Sequence, residues 1–276
     1  MAMYTNTDTV SGILPRDHGD LIVEPVTQSA LAFNPLIATI ARTGSNEFSV
    51  PVVREDAGAA WVAEGQEIDE DDATLDELLV RPSKVAGLTV VSSELARDSS
   101  PSAQKVIADG LVRSIVDQVD RAFFGNLVSP APSGLEGHTP AESLTTDLSN
   151  LDALSEAVSL AETGGANVTA FVADPVTALA LATLKQATGS NQALLGNNPR
   201  QIIGREVLVS RHVAAGTIWA IDASRIVTVL RTDAELAVSD QSHFSSDRIA
   251  VRATLRTGFA FASAYSALPI RVNTAA

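Results

Sequence analysis

The 276-residue chain contains no cysteine, so disulfide bonds, thiolate catalysis and cysteine-ligated metal centres are excluded. Aromatic residues make up only 4% of the chain, and lysine is confined to Lys84, Lys105 and Lys185. Arginine supplies the other cations, and its planar guanidinium suits the fixed, bidentate contacts of protein interfaces. A GC-rich genome produces the same excess of arginine, so composition alone does not establish an interface.

Long apolar runs and the common catalytic motifs are also missing. No run of about 18 apolar residues occurs, which argues against a membrane span. The four histidines lie in separate segments, and HExxH, Walker, GxGxxG and GxSxG patterns are absent. The acidic run that begins at Asp69 fails as a calcium loop because Thr74 and Val80 replace the required glycine and glutamate. The sequence therefore predicts no catalytic residue, no metal site and no cofactor.

The charge that is present is unevenly distributed. The net charge is -14, and ten acidic residues without a lysine or arginine lie between Glu55 and Glu77. The remainder of the chain carries nearly equal numbers of positive and negative charges. A protein that wraps nucleic acid by neutralising phosphates should be basic. This chain is therefore expected to be repelled by DNA over most of its surface.

The first third of the chain predicts an arm followed by an excursion. Residues 1–20 are polar and aperiodic, and residues 21–42 predict short helical turns broken by proline. Alternating apolar residues on both sides of the acidic stretch predict a long two-stranded excursion over residues 47–91. Because an isolated hairpin is marginally stable in water, this excursion should lie on another surface.

The clearest single element is a helix predicted over residues 99–125. Apolar side chains recur at four-residue steps from Ile107 to Phe123, which places them in one stripe. Ser100 and Pro101 supply the start, because serine caps a first turn and proline tolerates the first helical position. A helix of this length extends roughly 36 Å.

The second half of the chain mixes short helices with strands. Helices are predicted over residues 150–162 and from Asp174 to about Gly189. Strands dominate from Gly204 onward, and the longest covers residues 248–261. Because helices and strands interleave without a βαβ repeat, the predicted fold class is α+β.

Two surfaces carry the functional hypothesis. Trp61 stands among small and acidic residues of the excursion, and a tryptophan in a polar loop is typical of an interface anchor. Arg248, Arg252 and Arg256 share one face of the last long strand, because alternate strand residues point to the same side. The alternatives are that Trp61 packs on its own chain and that the arginines pair with carboxylates of the same chain.

Six segments together resemble one known family. LIVEPVTQSALAFNPLIATIA followed by FSVPVV looks like an arm that enters an extended loop, and AAWVAEGQEIDEDD looks like that loop's Trp-x-x-Glu-Gly stretch. VSSELARDSSPSAQKVIADGLVRSIVDQVDRAFFGN looks like the start and body of a long spine helix. LLGNNPRQIIGREVLVSRHVAAGTIWAID and RIAVRATLRTGFAFASAYSALPIRV look like later strands. In this order they resemble the major capsid proteins of tailed bacteriophages, whose fold is shared with encapsulins.

The resemblance implies the four-part phage major capsid fold and a structural, non-catalytic function. Such a protein assembles with itself into pentamers and hexamers of the icosahedral head shell that encloses the genome. The implied parts are an N-terminal arm (1–45), an extended β-hairpin loop (46–84), a peripheral domain with the spine helix (85–147 and 226–262) and an axial domain (148–225 and 263–276).

The resemblance also implies location and partners. The protein would be part of the virion, would assemble in the bacterial host cytoplasm, and would enclose DNA without tight binding and without contacting a membrane. Separate scaffolding, portal and decoration proteins are the other implied partners. The predicted subunit interface consists of Trp61, Glu64, Glu67, Asp69, Asp71, Arg248, Arg252 and Arg256.

Some members of the family crosslink a loop lysine to an asparagine of a neighbouring subunit. In this chain no lysine occurs between Glu55 and Val80, and no asparagine occurs between Asn198 and Asn273. The shell is therefore expected to be held by non-covalent contacts only.

Two other functions remain open on the sequence alone. One is an encapsulin-like compartment that docks cargo peptides on its inner wall, and the other is an unrecognised soluble enzyme. Packaged nucleic acid, as opposed to captured protein cargo, separates a phage shell from an encapsulin-like compartment. A monomeric or dimeric mass in solution favours the enzyme.

Overall fold

A computed structural model of the chain describes residues 26, 29–55, 57–67, 70–94, 101–187, 189–196, 198–231, 235–262 and 269–274. Its helices include α1 (Pro101–Phe124), α2 (Asp152–Thr163) and α3 (Pro175–Thr183). Its strands are β1 (Thr39–Thr43), β2 (Phe48–Glu55), β3 (Thr74–Val80), β4 (Ser83–Ser92), β5 (Glu142–Thr146), β6 (Ala170–Ala173), β7 (Gln201–Ile202), β8 (Arg205–Val209), β9 (Thr217–Ile221), β10 (Ile226–Arg231), β11 (Glu235–His243), β12 (Arg248–Phe261) and β13 (Ile270–Thr274).

The first sheet is built around β12. Strand β4 pairs with it antiparallel over the full length of β4, from Ser83 opposite Thr257 to Ser92 opposite Arg248. Strands β11 and β10 also pair antiparallel with β12, and β1 pairs parallel with β10. The long C-terminal strand predicted from the sequence is therefore the scaffold for three other strands.

Helix α1 covers the inner face of this sheet. Leu111, Ile115 and Phe123 of its apolar stripe are buried in one core with Leu255 and Phe259 of β12. The rings of Phe123 and Phe259 meet edge to face at 5.0 Å between centroids. Burying a side chain of this size stabilises the fold by about 1.5–3 kcal/mol. The predicted helix over residues 99–125 is confirmed, with bounds that differ by one or two residues.

The second sheet has the strand order β5-β13-β9-β6-β8-β7. Its central strands β6 and β9 are buried at every position because both faces of the sheet are covered. Phe171 and Ile218 pack under α2 and α3 on one face. Val172 and Trp219 pack on the other face into the core that contains α1. This sheet is therefore a middle layer, and α2 and α3 form the outer layer over it.

Strands β2 and β3 form an antiparallel hairpin that leaves the body of the protein. The pairing extends from Phe48 opposite Val80 to Glu55 opposite Thr74. Val80 packs with Ala260 at the base of this hairpin, whereas every described residue from 57 to 77 is exposed. The predicted two-stranded excursion is confirmed, but it is shorter than expected because residues 83–92 belong to the first sheet.

Two other predictions differ from the structure. The third helix is predicted to extend to about Gly189, yet α3 ends at Thr183. Leu184 leaves the helical conformation there, with ψ 134°, and its carbonyl accepts the N–H of Leu194 at 2.7 Å, which closes a short loop. Residues 39–43 form a strand where turns are expected, because pairing with β10 overrides their weak local pattern. The predicted arm over residues 1–20 lies outside the described residues.

Candidate subunit interface

The distal part of the hairpin, residues 57–67 and 70–73, is a loop whose described residues are all exposed. Trp61 lies in this loop and is fully exposed, with a relative accessibility of 105%. Glu64, Glu67 and Asp71 are also exposed, and Asp71 accepts the N–H of Gly58 at 2.6 Å, which ties the two sides of the loop together. Within the described part of the chain, Trp61 therefore does not pack on its own subunit. Asp69 lies outside the described residues.

The three arginines lie on the outer face of the first sheet. Arg248 and Arg252 are exposed and Arg256 is half-buried, while Ala253 and Leu255 between them are buried towards α1. No carboxylate among the described side chains forms an ion pair with Arg248 or Arg252. Pairing within the same chain therefore does not account for these two arginines.

Exposed apolar side chains lie beside the arginines. Leu88 of β4 stands directly opposite Arg252, and Val90 stands opposite Ala250. Cross-strand partners share a face, so Leu88 (64% exposed) and Val90 (38% exposed) point outward beside Arg252. An apolar patch bordered by arginine is a common composition for a protein-contact surface. These two residues could not be predicted from the sequence, because the pairing of β4 with β12 brings them to this face.

In the described part of the chain, no hydrogen bond or ion pair connects the acidic hairpin loop with Arg248 or Arg252 of the arginine face. Strand β3 alone separates the loop from the sheet by seven extended residues, which corresponds to roughly 20 Å. The two predicted halves of the interface are therefore presented separately, in positions that a neighbouring molecule could bridge.

A buried carboxylate joins α1 to the N-terminal part of the described chain. Asp120 accepts the N–H groups of Leu31 at 3.1 Å and Ala32 at 3.0 Å. Burial raises the pKa of Asp120, and the two backbone hydrogen bonds oppose that shift. No role was predicted for this residue from the sequence, although a carboxylate between the apolar residues Val119 and Phe123 is a recognisable signal.

A second carboxylate, one helical turn away, joins α1 to the segment after β8. Asp117 accepts hydrogen bonds from the guanidinium of Arg211 and, at 2.8 Å, from the Nε2 atom of His212. Burial alone would raise the pKa of Asp117, but the hydrogen bond from Arg211 and the charge of His212 outweigh it and lower the pKa. Asp117 and Asp120 border a groove of about 450 Å³.

This groove contains a serine, a histidine and an aspartate, but they are not arranged as a catalytic triad. The Oγ atom of Ser210 accepts the backbone N–H of His212 at 3.2 Å and forms no hydrogen bond with its ring. The imidazole edge that a triad directs at its nucleophile is occupied by Asp117. The contacts of this cluster hold segments together and do not activate a hydroxyl.

The part of the chain that the structure describes offers neither a metal site nor a membrane-spanning helix. No three His, Asp or Glu side chains converge there into a group that could hold a metal ion. No described helix combines the length and apolarity that a membrane crossing needs.

The described residues thus form an α+β body with an exposed hairpin and an exposed arginine face. The chain belongs to the phage capsid family, whose sequence profile matches residues 13–270. It is 33% identical over 99 residues to the capsid polyprotein of Pseudomonas phage PAJU2, a match that covers 35% of this chain and 14% of the polyprotein. The match therefore spans only a small part of the length of that relative.

Solved structures show the same fold. A structure from Microbacterium phage Oxtober96 superposes with a TM-score of 0.73 at 16% identity and covers 99% of this chain and 100% of its own. The capsid of a native GTA particle, computed with C5 symmetry, gives a TM-score of 0.67 at 19% identity over 100% of this chain and 96% of its own. The predicted α+β capsid fold and the structural, non-enzymatic class are confirmed.

Proposed function

We propose that the chain assembles with copies of itself into the closed icosahedral head shell of a tailed phage, built of pentamers and hexamers. The observation that carries this proposal is the hairpin, in which every described residue from 57 to 77 is exposed, Trp61 included. A two-stranded ribbon is marginally stable by itself. A neighbouring copy supplies the surface that the chain itself does not provide.

The contact that best fits the exposed surfaces places the acidic hairpin loop of one copy on the arginine face of the next. Opposite charges steer association and fix the register of an interface more than they raise its affinity. Each exposed ion pair contributes only about 0–1 kcal/mol, so the arginines alone do not hold a shell. Leu88 and Val90 provide an apolar surface on which Trp61 of the neighbouring copy packs. Each contact is modest, but its repetition around a closed shell makes the assembly stable.

The same proposal covers location and contents. The protein would assemble in the cytoplasm of the bacterial host, together with separate scaffolding, portal and decoration proteins, and would enclose DNA in the virion. The net charge of -14 supports weak contact with that DNA, because tight phosphate contacts require an excess of Lys and Arg. The predicted four-part domain division belongs to this proposal as well.

Sedimentation of the purified protein under native conditions tests the assembly. We expect particles far larger than a 28.8 kDa subunit, whose nucleic-acid content would distinguish a phage shell from a compartment loaded with protein cargo. A single slow species across a range of salt and protein concentrations would overturn the proposal.

Charge reversal tests the contact itself. Arg252→Glu should leave the subunit folded, because this side chain points away from the core, and should slow or block particle formation. Glu67→Arg in the same chain should restore assembly in part. Arg200→Glu, at an exposed arginine remote from both surfaces in sequence, is the matched control. Normal assembly of Arg252→Glu would show that the arginine face is not an intersubunit contact.

A further inference from the structure

The groove that Asp117 and Asp120 border has an apolar floor that no described part of the chain covers. Its volume of about 450 Å³ lies within the range of about 300–1,000 Å³ that binding pockets occupy. Its lining residues include Leu31, Val112 and Val116, which are only half-buried although they pack against the main core. This floor is therefore an extension of the core that lacks a covering layer among the described residues.

The charged groups at the edge of this groove are bound within the chain, with one exception. Arg211 and His212 bind the carboxylate of Asp117, and the carboxylate of Asp120 accepts two backbone N–H groups. Arg113 is exposed at the same edge and forms no ion pair with a described carboxylate. The groove therefore offers an apolar floor beside one available cation, which suits an apolar segment that carries a carboxylate.

The first described residue lies close to this groove. Val26 is fully buried, and its carbonyl accepts the N–H of Ala30 at 2.9 Å, which forms a single helical turn. Ser29, less than one turn or about 5 Å further along, lines the groove, as does Leu31. The 25 residues that precede Val26 therefore join the described fold within a short distance of the groove.

The sequence just before Val26 has the composition that this groove requires. Leu21, Ile22 and Val23 form an apolar run, and Glu24 follows it. An extended chain rises about 3.3 Å per residue, so Leu21 lies within roughly 16 Å of Val26. The apolar run is thus near enough to cover the floor of the groove, and the charge of Glu24 complements that of the arginine at its edge.

We propose that residues 21–24 of the same subunit occupy this groove, with the apolar run on its floor and Glu24 paired with Arg113. The tether favours this occupant over a segment of a second copy or of another protein, because a segment joined by a few residues has a high effective concentration at the groove. The contact fixes the start of the chain to α1 and to the segment after β8, and it closes the groove to other proteins. It does not depend on the proposed self-assembly.

Because the chain contains no cysteine, a pair of introduced thiols identifies the occupant. Val23→Cys combined with Val112→Cys should form a disulfide on mild oxidation of dilute, dissociated subunits, since two cysteines pair only when their Cα atoms lie within about 7 Å. The product should be a crosslinked monomer on a non-reducing gel. In the control, Val23→Cys is combined with Ser114→Cys, an exposed position of the same helix outside the groove, and both thiols should stay free.

The reactivity of a single thiol measures how well the groove is covered. Val116→Cys should react slowly with a maleimide, and replacing the three residues of the apolar run by serine should raise that rate about tenfold, as for a site covered about nine-tenths of the time. Arg113→Glu should also raise the rate, and adding Glu24→Arg should return it towards its starting value. Arg121→Glu, at an exposed arginine of α1 that does not line the groove, is the matched control and should leave the rate unchanged.

The crosslinked species decides between the occupants. A crosslinked dimer in place of the crosslinked monomer would assign the groove to a second copy and overturn the proposal. The absence of any disulfide, together with a Val116→Cys rate that the serine substitutions do not change, would overturn it as well. Because both measurements use dissociated subunits, neither result affects the proposed shell, which sedimentation tests separately.

Discussion

Asp117 and Asp120 lie one turn apart on α1, and each carboxylate fixes a different, distant segment of the chain to that helix. Asp120 accepts two consecutive backbone N–H groups beginning at Leu31, 88 and 89 positions away in sequence. Asp117 binds the ring of His212, 95 positions away in the other direction. One turn of the longest helix therefore joins three parts of the fold, and its two carboxylates should affect stability in different ways.

Asp120→Ala should destabilise the unassembled subunit. The substitution leaves two backbone N–H groups without their acceptor, and the loss of hydrogen bonds to a charged group corresponds to about 1–3 kcal/mol. Urea unfolding of subunits should report this decrease in the free energy of unfolding. Gln118→Ala, at an exposed position of the same helix, should change it by no more than about 0.5 kcal/mol. If the Asp120→Ala variant and the parent are equally stable, these hydrogen bonds only compensate for the free-energy cost of burying the carboxylate.

The Asp117 cluster should make stability sensitive to acid. The pKa of Asp117 in the folded chain lies below its ordinary value of 3.8. Its stabilising contribution is therefore fully present above pH 3.8 and is lost as the pH falls through the folded pKa. The difference in melting temperature between the parent and Asp117→Asn should be largest near neutral pH and should shrink in acid below pH 3.8.

The exposed carboxylate of Asp109 on the same helix provides the control for this measurement. Asp109→Asn should give melting temperatures close to those of the parent throughout the titration, because no described partner binds that side chain. If the difference in melting temperature between the parent and Asp117→Asn is equally large in acid and at neutral pH, packing accounts for the effect of the substitution, and the charge of Asp117 does not.

The features that the sequence predicted correctly are those with a short-range period. The stripe from Ile107 to Phe123 repeats every helical turn, and Arg248 and Arg252 share a face because strand residues alternate. Both patterns are complete within about 20 residues of the chain, so neither requires knowledge of the tertiary structure. The hairpin follows from the same alternation.

The features that the sequence did not predict depend on pairing between distant segments. Leu88 becomes part of the arginine face only because β4 lies beside β12, and the bond between Asp117 and His212 connects segments with no common motif. The sequence places the carboxylate of Asp120 within an apolar stripe, but it does not show that Leu31 and Ala32 bind it. The early end of α3 depends on the hydrogen bond from Leu194 to Leu184, another contact outside the local pattern.

Two glycines near α1 should respond in opposite ways to alanine. A Cβ atom at Gly134 would lie 2.7 Å from the carbonyl oxygen of Phe123 and closer still to that of Ala122. Gly134→Ala should therefore displace the segment that packs on the end of α1 and lower stability by about 1–3 kcal/mol, as overpacking typically does. Thermal unfolding of the subunit should show a clear decrease in melting temperature.

Gly110 provides the matched comparison because it lies within α1 and has room for a methyl group. The nearest atom to its Cβ would be an Arg113 side-chain nitrogen at 3.8 Å, which is ordinary contact. Gly110→Ala should raise stability by about 0.5–1 kcal/mol, since glycine is unfavourable inside helices. A stable Gly134→Ala variant would contradict the close approach of the two segments.

The turn between β7 and β8 should contain strain that a single substitution removes. Ile203 has φ +51° and Gly204 has φ +72°, the left-handed conformations that a two-residue hairpin turn requires. A β-branched residue is poorly suited to this region, where a residue with a Cβ atom loses about 1–2 kcal/mol. Ile203 recovers little of that by burial, because its side chain is 43% exposed. Ile203→Asn should therefore raise the free energy of unfolding of the subunit by about 1 kcal/mol, measured by urea denaturation.

Ile202→Val, at the fully buried neighbouring position, is the control and should lower the free energy of unfolding by about 0.5–1.5 kcal/mol. An unchanged or lower stability for Ile203→Asn would mean that the isoleucine side chain contributes packing that outweighs the strain of its backbone.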